Sequence, residues 1–238
     1  MRLIVNNINP TGKTHSASVI FFHGSGDTGS NLIEWVRFLL GRNMEFPHIK
    51  IIYPTAPVQS YTPMNGELSN VWFDRRSIEI DAVESRKSMS KIYENVHELI
   101  NEEVKQGIPV KRIIVGGFSM GGALAIHAGY HLNTELGGVF ACSSFLNRDS
   151  IVYDSLRYRT KPGTVLPELK MYHGDRDTLV PLEWGSESFK ELQSLGVIGK
   201  FYPLNNTMHE LKTRELLDIQ EWIQMKLPPV ESDLQNKL

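Results

Sequence analysis

The sequence predicts an α/β fold, a doubly wound and mostly parallel sheet with helices on both faces. Three observations predict it. Short runs of β-branched and aromatic residues recur along the chain and are apolar at successive positions, as strands covered on both faces require. Between them lie segments with the apolar spacing of helices. The alternation spans 238 residues, 41% apolar and 22% charged, which is ordinary globular usage and enough chain to bury a large core. The expected organisation is one domain over residues 1–238, with about 230–238 a frayed polar tail.

Taken in order, Ser18 to Phe22 is the first strand and ends at His23-Gly24. Ile49 to Tyr53 is the second, stopped by Pro54. The 26 residues between Pro54 and Asp81 contain Pro57, Pro63 and Gly66 and are too long for an ordinary connection, which marks them as functional. Asp81 with Glu84 reads as a capping box. The helix behind it has the stripe Met89, Ile92, Val96, Leu99 and Glu103, and it ends at Gly107 and Pro109. Arg112 to Val115 is a strand running into Gly116-Gly117, and Ala123 to Tyr130 is a helix of small residues. Gly138 to Cys142, Leu169 to Tyr172 and Gly199 to Tyr202 are the remaining strands. Glu183 to Leu195 and Thr213 to Leu227 are amphipathic helices, the second stopped by Pro228-Pro229.

Composition excludes several function classes. Lys and Arg number 25 against 27 Asp and Glu, a net charge of −2, so neither nucleic acid nor an anionic membrane is expected as a partner. The single cysteine, Cys142, excludes an intramolecular disulfide and a Cys-rich metal site, and its apolar run reads as a buried core position. No His, Asp or Glu spacing suggests zinc, and no Gly-rich run carries the Lys-Ser/Thr of a phosphate loop or a dinucleotide fingerprint. No metal and no cofactor are therefore expected. Met1 to Pro10 lacks a signal-peptide core, and position 2 is Arg2 rather than a myristoylation glycine. The expectation is a cytoplasmic protein without a stable membrane anchor.

The chemistry concentrates in Gly117-Phe118-Ser119-Met120-Gly121. Alone, a GxSxG pentapeptide is a weak signal. Here it follows a strong strand and opens a small-residue helix, the context in which a sharp turn exposes a serine hydroxyl over a sheet edge. A serine needs a base, and this fold orders its triad as Ser, acid, His. Candidate histidines further along the chain are His131, His173 and His209, and the acids include Asp149, Asp154, Asp175 and Asp177. His173-Gly174-Asp175-Arg176-Asp177 leaves a strand at the edge where ligands bind, and only His209 follows it. Spacing leaves Asp175 and Asp177 both open. Oxyanion donors are expected from the Met120 N–H and from the Ser25 N–H in His23-Gly24-Ser25-Gly26-Asp27-Thr28-Gly29. His173 reads as a buried hydrogen-bonding residue. Val71-Trp72-Phe73 reads equally as a core anchor or a substrate wall, and Trp72 and Phe73 are the substrate-binding candidates.

These runs, with Trp72-Phe73-Asp74, Val180-Pro181 and Met208-His209, resemble the acyl-protein thioesterase/lysophospholipase family of α/β-hydrolases from about residue 13 to 227. The likeness is greatest to its lysophospholipase-like branch, through Tyr61-Thr62-Pro63-Met64, Asn70-Val71-Trp72-Phe73-Asp74 and Ser143-Ser144-Phe145-Leu146-Asn147. The resemblance implies Ser119 as nucleophile, Asp177 as the orienting acid and His209 as base, with Ser25 and Met120 as oxyanion donors. The thioesterases proper tend to carry leucine and glutamine at those last two positions, but the donors are backbone groups. It further implies hydrolysis of acyl thioesters or esters, on S-acylated proteins or small acyl esters. The family's palmitoylated N-terminal cysteine has no counterpart here. Asn147, Arg148 and Asp149, near the expected mouth, are poor lining for a long chain and lean the expectation toward short acyl groups.

Overall fold

The computed structural model describes residues 3–158 and 163–230. The expected tail lies almost entirely outside the described residues. Seven strands form the main sheet: β1 (Ile4–Ile8), β2 (Ala17–Phe22), β3 (Ile49–Thr55), β6 (Ile113–Phe118), β7 (Gly138–Cys142), β8 (Leu169–Gly174) and β9 (Gly199–Leu204). A separate hairpin pairs β4 (Val58–Tyr61) with β5 (Glu67–Asn70). The main sheet runs β1-β3-β2-β6-β7-β8-β9, parallel throughout except for β1, which is antiparallel to β3. This is the doubly wound sheet that the alternation predicts.

Among the described residues six α-helices flank the sheet: α1 (Gly29–Leu40), α2 (Arg86–Lys105), α3 (Met120–His127), α4 (Ile151–Tyr158), α5 (Leu182–Ser194) and α6 (Thr213–Lys226). One face of the sheet packs Met89, Ile92, Val96, Val152, Phe189 and Leu192 from α2, α4 and α5, and α3 lies there too. The other packs Leu32 and Val36 of α1 with Leu216, Ile219 and Ile223 of α6. Burying the outward residues of β2, β6, β7 and β8 on both faces accounts for their uninterrupted apolar runs.

Helices α1 and α4 have no counterpart in the sequence reading, and three further elements depart from it. β1 is an edge strand whose Ile-Val-Asn-Asn-Ile is only half buried, so its alternation is broken by Asn6-Asn7. The capping box at Asp81 and Glu84 does not form. α2 begins at Arg86, and the Glu84 carboxylate instead turns inward, accepting from the Ile151 N–H at 2.9 Å and lying 3.2 Å from His127 Nε2. The apolar stripe and the Gly107 stop of that helix are as predicted, Gly107 standing at φ 92°. The long stretch after Pro54 holds the β4–β5 hairpin and a short 3-10 turn, so it has backbone pairing of its own.

Chain order makes the site. β2 is flanked by β3 on one side and β6 on the other, so the connections after it leave in opposite directions and open a crevice at the carboxyl edge. The register brings Phe22 level with Gly117, Phe118 level with Cys142, and Gly174 level with Leu204. The turns after β2, β6, β8 and β9 therefore share one edge.

Candidate active site

Ser119 sits between β6 and α3 with φ 54° and ψ −119°, a conformation that L residues avoid. Steric closeness enforces the glycines around it. A Cβ on Gly117 would stand 2.1 Å from the Gly121 carbonyl carbon, and one on Gly121 would stand 2.3 Å from the Phe22 oxygen. Serine at a helix N-cap ordinarily accepts a bond from its own helix. Here it makes no such cap, and its hydroxyl faces His209 Nε2 at 3.0 Å.

His209 follows β9 in a loop that crosses close over β8. A Cβ on Gly174 would lie 2.3 Å from the Thr207 oxygen, so only glycine admits that approach. Asp175 and Arg176 tie the loop down through Asp175 Oδ1 to the Thr207 N–H and the Arg176 N–H to the Thr207 oxygen. It is Asp177, not Asp175, whose carboxylate meets the imidazole. Its Oδ2 accepts from His209 Nδ1 at 2.7 Å, and its Oδ1 accepts the Leu179 and Val180 N–H groups at 3.0 and 2.8 Å. Burial alone would raise the Asp177 pKa, but the His209 and Val180 bonds outweigh it and hold the carboxyl below its usual range. A carboxylate accepting at Nδ1 fixes the tautomer whose Nε2 lone pair points to the serine hydroxyl.

The loop after β2 is held by its own network. His23 Nδ1 donates to the Gly24 oxygen at 2.6 Å, and its Nε2 accepts the Ala56 N–H at 2.9 Å. Burial lowers its pKa, which agrees with a neutral ring used this way. Trp72 Nε1 donates to the His23 oxygen at 2.8 Å, and the Gly26 N–H donates to the Asn70 oxygen at 2.9 Å. Ser25 and Met120, the two expected oxyanion donors, line the same cavity as Ser119 and His209. The Met120 N–H is the first of its helix and has no partner within it.

Two expectations are corrected. Trp72 and Phe73 are buried in the core and do not line the cavity beside Ser119. Trp72 is an anchor for the loop after β2, because its ring packs against Phe22 and His23 while its N–H holds a carbonyl of that loop. Asn147, Arg148 and Asp149 do not line it either: Arg148 bonds Glu187 and Asp81 at the surface, and Asp149 accepts the Glu84 N–H. The wall is made instead by Tyr61, Arg75, Ile78, Phe145, Leu179 and Val180, which sequence reasoning missed. The one visible signal was the charged run Asp74-Arg75-Arg76 directly after the aromatic Trp72-Phe73. His173 is fully buried and donates from Nε2 to the Val180 oxygen. Cys142 is free and buried, and burial pushes its thiol pKa well up. Among the described residues no group of three or more His, Cys, Asp or Glu could hold a metal ion, and no helix is long and apolar enough to cross a membrane.

The cavity has a volume of about 170 Å³. A void of roughly 150 Å³ takes one benzene-sized molecule, so a cavity of this volume suits a short acyl group.

Known proteins resemble this chain over most of its length. The pattern of the phospholipase/carboxylesterase family matches residues 5–227. Lysophospholipase-like protein 1 of Mus musculus is 48% identical over 221 residues, which is 93% of this chain and 91% of that protein. Acyl-protein thioesterase 1 homolog 1 of Dictyostelium discoideum is 35% identical over 218 residues, 90% of this chain and 92% of its own. The crystal structure of Zea mays acyl-protein thioesterase 2 superposes with a TM-score of 0.79 at 25% identity, covering 94% of this chain and 99% of that one.

Proposed function

This chain belongs to the phospholipase/carboxylesterase family of α/β-hydrolases, and from that premise we propose that it hydrolyses acyl thioesters and esters through an acyl-enzyme on Ser119. The observation that carries the residue roles is the unbroken relay Asp177, His209, Ser119, with contacts of 2.7 and 3.0 Å. Ser119 attacks the acyl carbon as His209 Nε2 takes its proton. Asp177 stabilises the imidazolium without taking the proton itself. The oxyanion rests on the Ser25 and Met120 N–H groups, each such donor contributing about 3 kcal/mol to transition-state binding. His209 then protonates the departing thiol or alcohol, and water releases the acid by the reverse path.

The relatives' names point to S-acylated proteins as the substrate class. The cavity volume favours short acyl groups, because a palmitoyl chain has far more atoms than about 170 Å³ encloses. A carboxylesterase acting on small acyl esters is the second reading that this volume favours. Ser119→Ala is expected to abolish both turnover and covalent labelling by a fluorophosphonate probe. Labelling of the variant at the native rate would place the nucleophile elsewhere. A palmitoyl thioester cleaved faster than a butyryl one would overturn the short-chain reading.

A further inference from the structure

Arg75 lines the Ser119 cavity and is only 7% exposed. Its faces are occupied: the guanidinium carbon lies 5.1 Å over the Phe73 ring and 5.3 Å over the Phe145 ring. Its edge is not. Among the described residues Arg75 makes no hydrogen bond and no ion pair within 4 Å, and its Nε is fully shielded with no partner. The carboxylates that act on it from a distance are committed elsewhere. Asp74 accepts the Thr62 N–H and hydroxyl at 2.8 and 2.7 Å, and Glu84 accepts from Ile151 beside His127. Asp27, the one acid in the cavity lining, accepts the Thr28 N–H of its own turn. Tyr61 also lines the cavity, and its hydroxyl is buried with no partner.

A buried guanidinium without a counter-ion is costly, and its planar fork matches a carboxylate bidentately. The two neighbouring rings supply no acceptor for that fork. The rest of the wall, Ile78, Leu179 and Val180, suits methylenes. We infer that the cavity selects acyl groups ending in a carboxylate, of succinyl to glutaryl length, with Arg75 and Tyr61 as the receptor for the distal carboxylate. Beyond its reacting carbonyl a glutaryl group has three methylenes and a carboxylate, a short group in keeping with a cavity of about 170 Å³. The inference rests on the hydrolase reading above. The Ser119 Oγ–acyl bond forms as the thioester or ester bond breaks, and the leaving sulfur or oxygen takes its proton from His209. Water then cleaves the acyl-enzyme, giving a free dicarboxylate and restoring the serine hydroxyl.

The test compares two thioesters of N-acetylcysteamine, glutaryl and its neutral isostere 5-methylhexanoyl. The wild-type protein should have the higher kcat/KM on glutaryl. In Arg75→Met the glutaryl to 5-methylhexanoyl ratio should fall by about tenfold or more. A wild-type preference for the neutral isostere, or a ratio that survives the substitution, overturns the inference. If the variant does not fold, the wild-type protein decides alone: glutaric acid monoamide, which keeps the distal carboxylate, must slow fluorophosphonate labelling at concentrations where the uncharged 5-methylhexanamide does not, and equal or absent protection overturns the inference. Ser119-dependent cleavage of the neutral thioester reports the hydrolase reading separately, so loss of one does not imply loss of the other.

Discussion

Two regions meet at the cavity and are built on different principles. The edge formed by β6, β8 and β9 places its side chains through the repeated geometry of a parallel sheet, each at the first turn beyond a strand. The segment from Ala56 to Ser85 has only a short hairpin of its own, and it is fastened within itself and to the rest of the fold by polar contacts: Asn70 to the Ala56 oxygen, Trp72 to His23, Ser88 to Asp74, and Glu84 to α4. The first region holds Ser119, Asp177 and His209, to which the proposal assigns the reaction steps. The second supplies Tyr61, Arg75 and Ile78 to the wall. Reactivity and selectivity are thus supported by separable parts of the fold, and a change confined to one should leave the other readable.

The largest effect that sharpens this division is expected at Asp177→Asn. The amide oxygen would keep the Leu179 and Val180 N–H bonds, which turns its NH2 toward His209 and forces the wrong imidazole tautomer. A fall of about 10⁴ in kcat is expected with little change in the acyl-length profile, measured across a thioester series. A shifted profile would break the division.

Glu84→Gln should act the other way, on the fastening of the segment from Ala56 to Ser85. Burial would raise the Glu84 pKa, but His127 and the Ile151 N–H pull it down to about 2 from an ordinary 4.5. A lowered carboxyl contributes stability that is complete above pH 4.5 and drains away as pH falls toward 2, about 3 kcal/mol in all. The variant should lose roughly that much at pH 7 and show a flatter acid limb, read by urea unfolding at several pH values. Unchanged stability at pH 7 would show that Glu84 does not fasten this segment.

The smallest effect is expected at Trp72→Phe, where the two regions touch. It removes the N–H that holds the His23 oxygen and some packing against Phe22, costing about 1–2 kcal/mol. Because His23 and Gly24 lead into Ser25, kcat should fall several-fold while acyl selectivity holds. A loss confined to KM would return Trp72 to the substrate wall.

The same contrast explains what the sequence discloses. The strands of the sheet centre are legible because burial on both faces leaves unbroken apolar runs, and Gly117 and Gly121 are legible because no other residue fits the turn. The acid of His173 to Asp177 is visible as a pair but not as a choice, since Asp175 and Asp177 differ only in which way the turn points them. Polar Asn6-Asn7 hides β1, and Glu84 and Asp81 mimic a capping box while serving other partners. Tyr61, Arg75 and Ile78 follow no period, so nothing local announces that they face one cavity.

The backbone at residue 119 has one further consequence. Glycine is the residue most at ease at φ 54° and ψ −119°, and glycine brings no hydroxyl. Pressure for a durable fold and pressure for turnover therefore point in opposite directions at this single position, and the serine there is retained against the chain's own conformational preference.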